Sequence, residues 1–162
     1  MFDRAAVLKE LNTLDIAFDL VEHDPVFTVE QVEKLSIQFR GIPCKNLFVK
    51  DKDGKKFLLV IPCNDRADLK SIASKIQSKR LSFCSSDELI RDLGVTPGSA
   101  SPLAIINNTA KDVNLVIDKS IMDGGFIACH PLDNAATVTL SADDLRKFVS
   151  HNGHDFNVLE LV

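Results

Sequence analysis

The chain has 162 residues, a hydrophobic fraction of 45%, a charged fraction of 26% and a formal net charge of −4 at pH 7. These values are typical of one globular domain and exclude a disordered or collagen-like chain. No apolar run reaches the roughly 18 residues that a membrane-spanning helix needs, and the first ten residues have no signal-peptide core. The four cysteines are scattered without a CxxC pair, so we expect reduced thiols in a cytoplasmic protein that contacts no membrane.

The first 40 residues predict two helices and a strand. Apolar residues at helical spacing indicate a helix over 4–14, and the next apolar run, 16–21, is typical of a short strand. Thr28 is followed three residues later by Gln31, which is a capping-box pattern. It predicts a second helix over 29–39.

The rest of the chain alternates strand-like and helix-like segments. Asp53-Gly54 between apolar runs at 46–51 and 57–62 predicts a β-hairpin. The later segments are a helix capped by Asn64 or Asp65 and ending near Lys79, a strand at 81–84, a helix opened by a Ser85–Glu88 capping box, apolar runs at 103–106, 114–117 and 126–129, a strand at 137–140, a helix from Ser141 to about Val149, and a last strand at 156–161. Helices and hairpins mixed in this way predict an α+β fold with a mixed sheet, and no linker divides residues 1–162.

Charge is unevenly distributed along the chain. Residues 1–33 hold two basic and eight acidic groups, whereas residues 40–80 hold eleven basic and four acidic groups. The overall negative charge argues against a DNA-binding protein, but a local cationic surface can attract a phosphate backbone. A solvated face of mixed charges would have the same composition, so charge alone leaves both interpretations open.

Four loop segments carry residues that make poor core material. Lys45, at a strand start in segment 41–46, can reach a phosphate or polarise a carbonyl. Segment 94–102 has few large side chains and can bring backbone N–H groups close to a ligand oxygen. Residues 123–125 are interpreted as a turn. His130, at a strand end, can orient a water or a hydroxyl. A surface lysine, a plain turn and a structural histidine are the alternative interpretations.

The cysteines offer little chemistry of their own. Cys129 adjoins His130, but neighbours on a strand point to opposite faces, so we expect no Cys–His pair. Cys44 adjoins Lys45, and a nearby cation lowers the pKa of a thiol, so we expect Cys44 to be sensitive to oxidation. The sequence has no HExxH pattern and no paired Cys/His spacing, and we expect no metal site.

Taken together, these segments resemble the YbaK/prolyl-tRNA-synthetase-associated editing domain family, and more narrowly its freestanding alanyl-tRNA(Pro) deacylases. The resemblance runs over nearly the whole chain. It is carried by CKNLF at 44–48, KDKDG at 50–54, GSASP at 98–102 and HPLDN at 130–134. It implies an α+β domain with a mixed, partly barrel-like β-sheet flanked by helices.

The resemblance also implies an activity and a site. The activity is hydrolysis of the ester of mischarged alanyl-tRNA(Pro), with no cofactor and with water placed partly by the 2′-hydroxyl of the terminal adenosine. The residues assigned to catalysis are Lys45, Gly98, Ser99 and His130. Those assigned to substrate binding are Asn46, Ser101, Pro102, Asn134 and the pocket walls Phe27, Val29 and Cys129, with Val26 beside them. Lys50, Lys52 and Lys56 are assigned to the tRNA backbone.

Three other functions stay open at this point. The same fold would suit a cysteinyl-tRNA(Pro) deacylase, in which the thiol of the substrate attacks. The basic segment would equally suit a non-catalytic tRNA-binding module. A cysteine hydrolase of small esters would use Cys129 or Cys44. Prolyl-tRNA synthetase or an elongation factor is a further expected partner.

Overall fold

The computed structural model describes residues 1–25, 28, 30, 31, 34 and 40–162. Within this part, Thr28 and Gln31 form the predicted capping box. The backbone N–H of Thr28 donates to Gln31 Oε1 at 3.1 Å, and the N–H of Gln31 donates to Thr28 Oγ1 at 3.2 Å. The helix predicted over 29–39 lies largely outside the described residues, as do the pocket walls Val26, Phe27 and Val29.

The structure describes six helices, of which the 3₁₀ helix at 102–107 and the short helix at 119–123 were not predicted. They are α1 (Arg4–Thr13), α2 (Leu69–Lys75), α3 (Ser86–Leu93), a buried 3₁₀ helix (Pro102–Asn107), α4 (Lys119–Asp123) and α5 (Ala142–His151). Helix α3 begins with the predicted capping box, in which both reciprocal hydrogen bonds are made. None of the helices in the described ranges has the length and apolarity to cross a membrane.

The cap predicted for α2 is wrong. The helix begins after Asp68, whose Oδ1 accepts hydrogen bonds from the backbone N–H groups of Lys70 and Ser71 at 3.1 and 3.3 Å. The backbone N–H of Asp65 instead closes a turn on the carbonyl of Pro62. Three residues in this sequence could serve as a cap, and the turn after the preceding strand decides among them.

The strands form one mixed sheet. They are β1 (Phe18–Glu22), β2 (Ile42–Lys50), β3 (Lys56–Pro62), β4 (Ser82–Phe83), β5 (Val113–Asp118), β6 (Phe126–Cys129), β7 (Ala136–Ser141) and β8 (Phe156–Leu159). Their order is β1-β7-β6-β2-β3-β5-β8, and β4 pairs with β2 beside this path. Strands β2–β6, β3–β5 and β5–β8 are parallel pairs and the others are antiparallel. The predicted α+β fold with a mixed sheet is therefore confirmed.

Strand β2 is the centre of this arrangement. It pairs with β3 in the predicted hairpin, whose turn contains Gly54 at φ +83°. Its first residues pair with β6 instead. Gly41 allows this close approach, because a Cβ there would lie 2.6 Å from the backbone carbon of Ile127. Residues of β2 alternate between two cores: Phe48 packs in one, and Leu47 and Val49 pack in the other.

Candidate active site

The GSASP segment is built by a turn and a helix start. Thr96 accepts a hydrogen bond from the backbone N–H of Ser99 at 3.0 Å, with Pro97 and Gly98 between them and Gly98 at φ +91°. This is the pattern of a type II turn, which favours proline and glycine at these two positions. The buried Ser101 then caps the 3₁₀ helix, because its Oγ accepts from the N–H of Leu103.

Asn46 joins β2 to this loop. Its Nδ2 donates to the carbonyl of Ala100 at 3.1 Å. That contact fixes the orientation of the amide, because a carbonyl can only accept. Its Oδ1 is then buried, and no described residue donates a hydrogen bond to it. A buried acceptor without a partner costs about 1–3 kcal/mol, and a hydrogen-bond donor of a ligand would relieve that cost at Asn46 Oδ1.

Lys45 precedes Asn46 on β2 but does not share its contacts. It pairs with Ile61 of β3, and alternation places it on the side of Leu47 and Val49, opposite to Asn46. In the described part of the chain its amine has no side-chain hydrogen bond or ion pair. The half-exposed amine is therefore available to a ligand, but no contact in the structure joins it to Asn46 or His130.

His130 follows β6 and is held by a backbone carbonyl. Its Nδ1 lies 2.8 Å from the carbonyl oxygen of Ala136, so Nδ1 carries the proton and Nε2 carries the lone pair of the neutral ring. Burial is the main cause that lowers the pKa of His130 from 6.5, and the nearby His23 acts in the same direction. Nε2 has no hydrogen-bond partner among the described residues. His130 thus presents a neutral, oriented acceptor.

The rest of the HPLDN segment forms a tight loop beside a cleft. Leu132 has φ +63°, and Asp133 Oδ1 accepts from the backbone N–H of Ala135 at 2.9 Å. Arg4 from α1 contacts both Asp133 and Glu22. Ser99 and Asn134 line the same cleft of about 770 Å³. The structure therefore brings the GSASP and HPLDN segments together across one opening.

Burial raises the pKa of the Cys44 and Cys129 thiols. Cys129 is only 5% exposed, and burial raises its pKa to about 12 although Ser101 hydrogen-bonds to it. Burial likewise raises the pKa of Cys44 well above its ordinary value, and the Cys44 thiol donates to the carbonyl of Ala128 at 3.3 Å. The premise behind the expected oxidation sensitivity of Cys44, a thiol pKa lowered by the adjacent lysine, is therefore wrong, because desolvation dominates.

The lysine amines of the β2–β3 hairpin are less available to a phosphate than the sequence suggests. Lys50 Nζ contacts both carboxylate oxygens of Glu88 at 2.9 and 3.2 Å. Lys56 Nζ lies 2.8 Å from Asp92 and 3.1 Å from Asp112, and its side chain is 13% exposed. Lys56 is therefore a structural ion-pair partner rather than a free phosphate contact, whereas Lys52 is exposed at the hairpin tip.

Sequence analysis missed His23. Its ring centroid lies 6.3 Å from that of His130, and the two histidines are more than 100 residues apart in the sequence. No local pattern could pair them, because the contact depends on the register between β1 and β7.

A family model and several relatives match most of this chain. A family model described as the aminoacyl-tRNA editing domain matches residues 23–148. The chain is 42% identical over 159 residues to the prolyl-tRNA editing protein ProX of Acetoanaerobium sticklandii, covering 98% of this chain and 97% of that protein. It is 38% identical over 157 residues to prolyl-tRNA synthetase associated domain-containing protein 1 of Bos taurus, covering 94% and 91% of the two chains.

Solved structures share the fold at lower sequence identity. The crystal structure of the hypothetical protein APE2540 has a TM-score of 0.76 and 18% identity, over 96% of this chain and 97% of that one. At this identity the likeness concerns the fold alone.

Proposed function

The chain belongs to the aminoacyl-tRNA editing domain family, and we propose that it is a single-domain trans-editing enzyme that hydrolyses alanyl-tRNA(Pro). As a member of this family it is an aminoacyl-tRNA deacylase, and its relatives point to mischarged tRNA(Pro) as the substrate. The observation that carries the site assignment is the pair of open acceptors, Asn46 Oδ1 and His130 Nε2.

An aminoacyl ester is already activated, so its hydrolysis needs a positioned water and stabilisation of the oxyanion. His130 Nε2 accepts a hydrogen bond from the attacking water, because Nδ1 is committed to Ala136. Asn46 Oδ1 accepts from the 2′-hydroxyl of the terminal adenosine, which in turn helps to place the water. Because water is the attacking group, the proposed hydrolysis requires no nucleophilic side chain.

The loop after the type II turn supplies the oxyanion contacts. The N–H of Ser99 closes the turn, so the N–H groups of Gly98, Ala100 and Ser101 are the ones that can reach the reacting carbonyl. Lys45, with its unpaired amine, binds the terminal phosphate or the ribose. Pro102 and Asn134 complete the proposed substrate contacts. Lys50, although its amine is paired with Glu88, and the exposed Lys52 are the proposed contacts to the backbone of the acceptor stem.

Selection for alanine is a matter of pocket size. A small pocket excludes proline by steric conflict, whereas preferring one methylene over none is worth only about 1–3 kcal/mol. The buried Cys129 forms one wall, and Phe27 and Val29 are its proposed neighbours. A cytoplasmic location and delivery of the charged tRNA by prolyl-tRNA synthetase or an elongation factor complete the proposal.

The test is a deacylation assay on three substrates: alanyl-, cysteinyl- and prolyl-tRNA(Pro). We expect rapid release of alanine only, and loss of about 10²–10⁴-fold in kcat for His130→Ala, the usual size of a general-base or water-positioning contribution. Because burial lowers the pKa of His130, the neutral ring persists in acid, and we expect the acid limb of kcat below pH 6.5. Release of cysteine alone would contradict the proposed selection for alanine by pocket size. If no ester were hydrolysed, a tRNA-binding module would be the better interpretation.

A further inference from the structure

We propose that His23 and Thr137 are positioning residues that set the tautomer and orientation of His130. This inference rests on the proposed role of His130, but it concerns contacts that are not part of that role. It adds a second histidine to the site, at a position where the sequence gives no signal.

The polarity of the His23 contacts follows from their partners. His23 Nδ1 lies 2.8 Å from the carbonyl oxygen of Asp24, so Nδ1 must donate. His23 Nε2 lies 2.8 Å from Thr137 Oγ1. In the neutral ring Nε2 therefore accepts the hydroxyl hydrogen of Thr137. The backbone N–H of His23 also donates to the carbonyl of Ala135 at 3.0 Å.

These contacts fall on the two residues that flank Ala136, whose carbonyl holds His130. His23 binds Ala135 and Thr137, and the residue between them, Ala136, presents the carbonyl that accepts from His130 Nδ1. The β1–β7 ladder ends at the pair Glu22–Ala136, so His23 extends the support of β7 by one residue. The Ala136 carbonyl is thereby fixed from both sides along the strand.

The chemistry of Thr137 supports a specific role. It is 5% exposed on a strand whose other buried residues are mostly apolar. A buried hydroxyl without a partner is costly, and valine would fill the same volume without that risk. The described partner of this hydroxyl is His23. The threonine is thus explained by its contact with the second histidine.

Loss of the His23–Thr137 hydrogen bond would lower activity through its effect on His130. If the start of β7 is less well held, the Ala136 carbonyl no longer selects the Nδ1–H tautomer. The Nε2–H form then becomes populated, and its Nε2 donates instead of accepting from water. Because productive geometry is lost, even a shift of about 1 Å can cost up to 10²-fold in rate.

The experiment compares three variants on β7. Thr137→Val removes the hydroxyl, Thr137→Ser keeps it, and Thr139→Val makes the same exchange at a 2% exposed threonine two residues away. The readouts are kcat and KM for alanyl-tRNA(Pro) and the ¹⁵N NMR signals of the His130 ring. We expect Thr137→Val to lower kcat about tenfold with KM within about twofold, and to shift the ¹⁵N signals away from the Nδ1–H tautomer. Both control variants should keep the wild-type tautomer and kcat.

His23→Ala provides a second route in case Thr137→Val fails to fold, and we expect the same changes in kcat and in the ¹⁵N signals. The double variant should be no slower than either single variant, because both residues belong to one contact. Unchanged ¹⁵N signals and kcat in Thr137→Val and His23→Ala would overturn the proposal. If His130→Ala retains full activity, the proposed function loses its water-positioning residue, while the ¹⁵N signals still decide whether His23 and Thr137 position the ring.

Discussion

The hairpin end of strands β2 and β3 and the middle of strand β2 use polar residues in opposite ways. At the hairpin end, Lys50 and Lys56 are charged and prominent in the sequence, but both amines are held by carboxylates of Glu88, Asp92 and Asp112. In the middle of β2, Asn46 carries no charge, and its buried Oδ1 has no hydrogen-bond partner among the described residues. In this comparison the two lysines at the hairpin end stabilise the fold, whereas the proposed placement of the water and the 2′-hydroxyl depends on two neutral groups, Asn46 and His130, whose orientation is fixed by backbone carbonyls.

The largest effect expected in this comparison is the loss of activity on replacing Asn46. Asn46→Ala removes the open acceptor, and we expect kcat/KM for alanyl-tRNA(Pro) to fall about 10²–10³-fold, the size seen when one transition-state hydrogen bond is removed. The free energy of unfolding should change by only about 1 kcal/mol, because a single hydrogen bond to Ala100 is lost. Steady-state kinetics and chemical denaturation measure the two quantities.

Asn114→Ala is the matched control for Asn46. Asn114 is exposed on β5, and its Nδ2 also donates to one backbone carbonyl, that of Lys56 at 3.0 Å. We expect this variant to retain wild-type kcat/KM. An equal loss of activity in both variants would mean that Asn46 acts through stability alone.

The next largest effect is the loss of stability on replacing Lys56 at the hairpin end. Lys56→Ala leaves the buried Asp92 carboxylate with only the exposed Arg91 as a cationic partner, and we expect the free energy of unfolding to fall by about 3 kcal/mol. Lys52→Ala should change it by less than about 0.5 kcal/mol, because Lys52 is exposed. Urea denaturation at pH 7 measures both.

Kinetics on tRNA then separates the two lysines. We expect Lys52→Glu to raise KM for alanyl-tRNA(Pro), since an exposed cation near the acceptor stem would attract phosphate. A wild-type KM for Lys52→Glu would place the tRNA footprint elsewhere on the surface. A wild-type free energy of unfolding for Lys56→Ala would contradict the distinction between Lys56 as a structural ion-pair partner and Lys52 as a lysine available to the tRNA.

Sequence reasoning succeeded where the signal is local. The capping boxes at Thr28 and Ser85 and the turn at Gly54 depend on residues within a few positions of one another, and the structure confirms them. It failed where a thiol pKa depends on burial or a side-chain contact depends on strand register. The adjacent cation at Cys44 is visible in the sequence, but the desolvation that raises the thiol pKa is not. The contact of His23 with Thr137 likewise depends on the alignment of β1 with β7.

The smallest expected effect lies inside the site itself, at the thiols. Cys129 has a pKa of about 12, so at pH 8 only about one thiol in ten thousand is ionised, and the thiolate is the reactive form. We therefore expect Cys129 and Cys44 to resist iodoacetamide in the native protein, as followed by mass spectrometry, and to react once it is unfolded in urea. Cys44→Ser should keep kcat within about twofold, because its thiol supplies only weak hydrogen bonds, to the carbonyls of Ile42 and Ala128. Rapid native alkylation accompanied by loss of deacylation would instead place a charged thiolate in the mechanism, and the contrast between a charged hairpin and a neutral site would no longer hold.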